Sequence, residues 1–97
     1  MPSSSSVVLT GAQVRGARAL LRWSTEELAT RSRLGTATIK RAEAHDGPVT
    51  STPVNVQAMR NTFEAAGIEF IPENGGGAGV RFREKLDASK QSSVLSE

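Results

Sequence analysis

The apolar positions of the chain first recur with the period of an α-helix and later alternate with the period of a β-strand. Val14, Ala17 and Leu21 lie three or four residues apart, which predicts a helix over about residues 11–22 with one buried stripe. A Thr-x-x-Gln capping box that begins at Thr10 supplies its start. The first predicted element is therefore an amphipathic helix.

Two shorter helices are predicted next, over about residues 25–32 and 36–44. Ser24 is followed three residues later by Glu, which is a second capping-box pattern. Leu28 on the first of these helices and Ile39 on the second are expected to face inward. The pattern indicates two short helices joined by a tight turn.

A fourth helix is predicted to begin at Pro53, because Thr52 supplies an N-cap and proline is favoured at the first helical position. Apolar side chains from Val56 to Phe63 recur at three and four residues, so one face is expected to pack on the other helices. Gly67 is expected to end this helix in a left-handed conformation.

Residues 68–71 and 80–83 alternate in polarity around a glycine-rich segment, which predicts a β-hairpin over residues 68–84. Two strands alone are marginally stable in water. The hairpin must therefore pack its Phe70 and Phe82 face on the helices, pair with a second copy, or do both. The residues proposed for a dimer contact are Ile68, Phe70, Val80 and Phe82.

The chain of 97 residues supports one small, mainly α domain over residues 10–67, followed by the hairpin of residues 68–84. Residues 1–9 and 85–97 are rich in serine and are expected to form a disordered leader and tail. The leader lacks the basic and apolar regions of a signal peptide, and no stretch is long and apolar enough to span a membrane. The absence of cysteine fits a reducing compartment, so the cytoplasm is the expected location.

Charge is distributed unevenly, although the formal net charge is only +2. Residues 11–41 hold seven basic and two acidic side chains, whereas residues 42–79 hold one basic and five acidic ones. The basic half coincides with the two short helices, which favours a polyanionic partner. The acidic half is the feature that would suit a protein partner instead.

The segments Trp-Ser-Thr-Glu-Glu-Leu-Ala from Trp23 and Leu-Gly-Thr-Ala-Thr-Ile-Lys-Arg-Ala-Glu from Leu34 resemble the helix-turn-helix of the Cro/repressor-like (XRE) transcriptional regulators. The resemblance covers about residues 10–43. It implies a four-helix, repressor-like domain with the helix-turn-helix at residues 24–44. It also implies a cytoplasmic, nucleoid-associated repressor that binds double-stranded DNA in the major groove. Because one small domain offers a small interface, tight binding is expected to need a homodimer on a two-fold related operator.

The resemblance implies base-edge contacts at the outward positions of the third helix, which hold Thr36, Ala37, Lys40 and Arg41. Arg41 can donate two hydrogen bonds to guanine, and Lys40 can reach guanine or phosphate. The methyl groups of the other two residues can touch thymine. The alternative is a solvated helix face that is basic without binding DNA.

Phosphate contacts are expected at the N-termini of the second and third helices, where backbone N–H groups point outward. The candidate residues are Ser24, Thr25, Arg33, Gly35 and Thr38. Thr25 stands where the family commonly has a glutamine, and Arg33 where it usually has a glycine in the turn. Either the turn differs slightly from that of the family, or Arg33 is tolerated because its long side chain reaches phosphate.

The resemblance also implies an ion pair between Arg18 of the first helix and Glu43 at the end of the third. Such a pair would fix the angle between the two helices and so act on the presentation of the reading surface rather than on base readout.

Few residues suit any other chemistry. His45 is the single histidine, so neither a zinc site nor an acid–base set is expected. The glycine run 75–77 lacks the Lys-Ser/Thr of a phosphate-binding loop, and Trp23 is expected to fill the core. No cofactor and no enzymatic activity are predicted. The rival hypothesis is a protein-interaction module, such as an antitoxin or anti-regulator, that holds a second protein with its hairpin.

Overall fold

Four helices followed by an antiparallel hairpin make up residues 8 to 85, which are the residues that the computed structural model describes. The elements are α1 (Gly11–Leu21), α2 (Thr25–Ser32), α3 (Thr36–Glu43), α4 (Pro53–Ala65), β1 (Ile68–Ile71) and β2 (Gly79–Phe82). The prediction of a mainly helical domain with a terminal hairpin is confirmed. Within the described part, no helix is long and apolar enough to cross a membrane. The rest of the predicted leader and tail, residues 1–7 and 86–97, lies outside the described residues.

The helix boundaries follow local capping chemistry. Thr10 and Gln13 form the complete capping box, with the Thr10 hydroxyl accepting from the Gln13 N–H at 3.0 Å. Ser24 accepts from the Glu27 N–H at 3.0 Å, but the Glu27 carboxylate accepts from Arg31 instead of completing a second box. Gly67 has a φ of +97°, so the predicted left-handed residue after α4 is confirmed.

Phe63 of α4 lies fully buried at the centre of the core. The Trp23 ring stacks on it with 5.8 Å between ring centroids, and the Phe70 ring meets it edge-on at 5.9 Å. Trp23 therefore packs against the core, as the sequence predicts. The aromatic cluster joins the α1–α2 connection, α4 and the hairpin.

The hairpin rests on the helices with one apolar face, in a register that pairs Ile68 with Phe82 and Phe70 with Val80. Ile68 and Phe70 are buried in the core of their own chain. Their side chains are therefore not available to a second copy, which corrects the proposal that all four residues form a dimer contact. The half-buried Val80 packs against the same core, and Phe82 stays 37% exposed.

The N-terminal end of α1 is bound to the turn that follows α3. Leu9 is buried, and its carbonyl accepts from the Val49 N–H at 2.8 Å, so this residue belongs to the core and not to the leader. The Gly11 N–H donates to the Gly47 carbonyl at 2.9 Å. A Cβ on Gly11 would overlap the carbonyl oxygen of His45, so the close approach of α1 requires glycine at this position.

Gln13 connects the start of α1 to the loop end of the hairpin, where Ile71 pairs with Gly79. Its side chain is buried, and Nε2 donates to the Gly79 carbonyl at 3.0 Å and lies 3.5 Å from the Ile71 carbonyl oxygen. A residue recognised in the sequence as a cap therefore also anchors both strands.

We expect Gly11→Ala to lower the free energy of unfolding by about 2–3 kcal/mol, because the added methyl group forces α1 away from the backbone of the turn after α3. Gly47→Ala is the matched control, since a Cβ there has no neighbour within 4 Å, and its effect should stay within about 0.5 kcal/mol. Urea unfolding followed by circular dichroism measures both. Equal stability of the two variants would contradict the close approach.

Candidate nucleic-acid interface

A three-residue turn, residues 33–35, connects α2 to α3. Arg33 takes the left-handed conformation, with φ 62° and ψ 33°, and its N–H donates to the Thr30 carbonyl at 3.3 Å. The Leu34 N–H donates to the Ala29 carbonyl at 3.0 Å, and Gly35 is extended with φ −74°. The left-handed position is therefore filled by arginine, at some cost in strain, while the glycine stands where its freedom is not needed.

The two faces of α3 differ in burial and chemistry. Ile39 is fully buried and Ala42 nearly so. Ala37, Lys40 and Arg41 are exposed on the other side of the helix. Within residues 8–85, neither basic side chain of this face takes part in a hydrogen bond or ion pair. Three of the four predicted base-contact residues thus lie on an open surface, and the fourth, Thr36, is half-buried.

The residues predicted to contact phosphate divide into two groups. Ser24 and Thr25 stand at the start of α2, where both hydroxyls are engaged within the chain. The Ser24 hydroxyl caps the helix, and the Thr25 hydroxyl donates to Glu26 Oε1 at 3.2 Å. Around the start of α3, Arg33 and Gly35 are exposed and Thr38 is half-buried. The start of α3 is therefore the more open of the two sites.

Glu26 is an exposed acidic residue in the first turn of α2, within this basic region. Its pKa is held below the ordinary value by hydrogen bonds from its own backbone N–H and from the Thr25 hydroxyl, and further by the positive charges of Lys40 and Arg18. The carboxylate stays ionised at neutral pH in the first turn of α2, where the positive charge of Lys40 acts on it. Any anion that approaches this region meets one fixed negative charge.

The predicted ion pair of Arg18 and Glu43 is present and bidentate. Arg18 Nε and Nη2 donate to the two carboxylate oxygens of Glu43 at 2.6 and 2.9 Å, and Nη1 donates to the Trp23 carbonyl at 2.9 Å. The side chains are 22% and 9% exposed, respectively. The hydrogen bonds to Glu43 raise the pKa of Arg18 above its ordinary value, against the opposing effect of burial. The pair joins α1 to the last residue of α3.

Arg15 of α1 makes a second connection at the same place. Nη1 donates to the Glu43 carbonyl at 2.6 Å, and Nη2 pairs with the Asp46 carboxylate. The spacing of Arg15 and Arg18, three residues apart on α1, indicates that the two side chains lie on neighbouring faces of one helix. That spacing does not predict which residue of α3 the two side chains contact.

No group of three or more His, Cys, Asp or Glu side chains that could hold a metal ion is found among residues 8–85. Apart from the carboxylates of Glu26 and Glu27, the exposed polar groups of the α2–α3 region are cations, hydroxyl groups and backbone N–H groups. All of these bind anionic oxygen atoms.

No model of a known protein family matches the chain, and no relative is found among curated proteins.

Glu43→Gln should lower the free energy of unfolding by about 3 kcal/mol, at the low end of the range for a broken buried pair because Arg18 keeps some contact with water. Thermal and urea unfolding measure the loss. Glu64→Gln is the control, because it breaks a more exposed pair with Arg60 within α4 and should cost under about 0.5 kcal/mol. An unchanged melting temperature for Glu43→Gln would show that the bidentate pair does not stabilise the fold.

Proposed function

We propose that the protein is a sequence-specific DNA-binding transcriptional regulator of the Cro/repressor-like type, which reads the major groove with α3. The observation that supports this proposal is the exposed face of Ala37, Lys40 and Arg41 on a short helix whose other face is buried. Repression and a cytoplasmic, nucleoid-associated location are part of the proposal. The resemblance of the α2–α3 sequence to the helix-turn-helix of that family is its second support.

The dimensions and chemistry of α3 suit a groove. Its eight residues span about 12 Å, and the major groove of B-DNA is about 12 Å wide. Arg41 can donate a bidentate pair of hydrogen bonds to guanine, and Lys40 can reach guanine or a phosphate. Ala37 leaves room for the backbone of α3 to approach a thymine methyl group.

Contacts to phosphate would position the helix. The first N–H groups of α3 have no side-chain cap, because Gly35 is the N-cap and offers no acceptor. These groups can donate to a phosphate oxygen, and the helix dipole favours the negative charge there. Arg33, exposed in the preceding turn, adds a cation beside them.

The test is selection of bound duplexes from random DNA, followed by titration of the selected site at several salt concentrations. We expect one sequence to be enriched, and its binding constant to fall steeply as salt rises. Arg41→Ala should weaken binding by about 1–3 kcal/mol and relax the preference at one base pair. Lys85→Ala, which removes an exposed positive charge beyond β2, is the control and should have no effect. Enrichment of no sequence would contradict the proposal.

Glu26→Gln should strengthen DNA binding about twofold to fivefold at low salt, because it removes a fixed negative charge from the exposed first turn of α2. The gain should shrink as salt rises, since both charges are exposed to solvent. Gel-shift titrations at two salt concentrations measure it. Glu73→Gln, on the exposed hairpin loop, is the control. Equal affinities of Glu26→Gln and the unsubstituted protein would place the bound DNA away from α2.

A homodimer on a two-fold related operator completes the proposal, and the free edge of β2 is its proposed contact. The Arg83 N–H donates to the Gly67 carbonyl at 2.8 Å, so the neighbouring pair of Ile68 and Phe82 is a non-hydrogen-bonded one. The N–H and C=O groups of Phe82 therefore point away from β1, and those of Val80 follow with the period of two. An antiparallel strand from a second copy can pair with this edge.

An apolar side chain on α1 lies near the same edge. Gln13 contacts Gly79 and Gly16 approaches Val80, so α1 and β2 run in the same direction. This direction brings Leu20, which is 38% exposed, to the level of Phe82. The free edge thus has apolar surface beside it that a second copy would cover.

Phe82→Lys should give a monomer, because a lysine on the edge strand opposes pairing of two copies. Sedimentation equilibrium measures the mass. Val54→Lys is the matched control, since Val54 is an exposed apolar residue on α4, away from the edge, and this variant should stay dimeric. Deletion of the hairpin is the less informative variant because it also removes Ile68 and Phe70 from the core. A Phe82→Lys protein that stays dimeric would rule out this edge as the contact.

The rival proposal is a protein-interaction module that uses its hairpin to hold a second protein. The free edge of β2 favours it as much as it favours a homodimer, because an extended segment of any partner can add to an open strand. The salt titration separates the two proposals. Binding to DNA that is weak at every salt concentration would favour the interaction module.

A further inference from the structure

The C-terminal end of α3 is held by α1 at both its backbone and its side chain. The Glu43 carbonyl is among the last four of the helix, which have no partner within it. Arg15 donates to this carbonyl at 2.6 Å while pairing with Asp46 in the turn that follows. One guanidinium therefore spans the last residue of α3 and the segment beyond it.

Arg18, three residues later on α1, binds the carboxylate of the same glutamate. A shift of α3 along its axis or a rotation about it would break one set of these bonds. The Gly11 N–H, bound to the Gly47 carbonyl at 2.9 Å, fixes the turn at a third point. The position of the α3 end relative to α1 is thus determined by contacts from successive turns of one helix.

We infer that Arg15 is a positioning residue that sets, together with Arg18, the orientation in which α3 presents its outward face. This inference rests on the proposed function of α3 as the helix that reads DNA. Arg15 itself is committed to Glu43 and Asp46, and it acts on DNA through α3 rather than by contact.

Because α3 is short, its outward face is sensitive to the contacts that α1 makes with the C-terminal end of α3. Lys40 and Arg41 lie three and two residues before Glu43, or about 3–4.5 Å along the helix axis. A displacement of Glu43 is therefore passed on to them almost undiminished. Hydrogen bonds from side chains to base edges keep their strength only within about 0.5 Å of donor–acceptor distance. A displaced C-terminal end of α3 would weaken the contacts of Lys40 and Arg41 with bases, although both side chains would still be present.

Arg15→Ala is the main variant, and Lys85→Ala is its control, because each removes one positive charge and Lys85 lies outside α1, α3 and β2. For Arg15→Ala we expect about threefold to tenfold weaker binding to the selected duplex, with the slope of log K against log salt unchanged. In the DNA-free protein, the amide resonances of residues 37–41 should shift. The control should leave affinity, slope and resonances as they are.

A loss of about 0.9 in the salt slope would show that Arg15 contacts a phosphate, which overturns the inference. Unchanged affinity with unchanged resonances in α3 would overturn it as well. Asp46→Asn is a milder variant that keeps the charge of Arg15 and its bond to the Glu43 carbonyl. It should shift the same resonances by less and lower the affinity slightly, whereas tighter binding would contradict the inference.

Failure of the proposed function gives a different result. If the unsubstituted protein selects no DNA sequence, the proposal for α3 as a reading helix fails. The resonances of the DNA-free Arg15→Ala protein then still test whether Arg15 fixes the position of α3. Shifts in residues 37–41 support a hold on α3, and their absence refutes it.

Discussion

The structure depends on the packing of α1 against the C-terminal end of α3. Gly11 allows the backbones to meet, and Arg15 and Arg18 bind the last residue of α3. The same helix buries Val14 in the core and anchors the hairpin through Gln13. Because α1 makes all of these contacts, a change in its position would move α3 and the hairpin together.

The residues that hold α3 are separate from those that it exposes. Ile39 holds α3 through the core, and the two arginines hold it from α1, whereas Lys40 and Arg41 could be replaced by other residues without loss of packing.

The ion pairs also decide which positive charges remain available to a polyanion. Three of the seven basic residues between residues 11 and 41 pair with acidic side chains, so the positive charge left for a polyanion is concentrated around α3 and its preceding turn.

Local patterns predict the helices well, since a cap such as Thr10 and a stripe such as Val14 act within a few residues. They do not encode which distant atoms a polar side chain reaches. Gln13 is visible in the sequence as a cap, yet its bond to the hairpin spans 66 residues. Arg15 looks like a surface residue for the same reason. The ion pair of Arg18 was predictable because the resemblance to a family supplied the long-range pairing that spacing alone lacks.

The outward face of α3 is the surface proposed to meet DNA. Titration of ¹⁵N-labelled protein with a selected duplex, followed through the backbone amide resonances, tests it most directly. We expect perturbations concentrated in residues 24–27 and 35–41, at the start of α2 and along α3, with β2 affected only through dimer formation. Perturbations centred on the outer face of α4 or on the hairpin loop, with α3 unaffected, would contradict it.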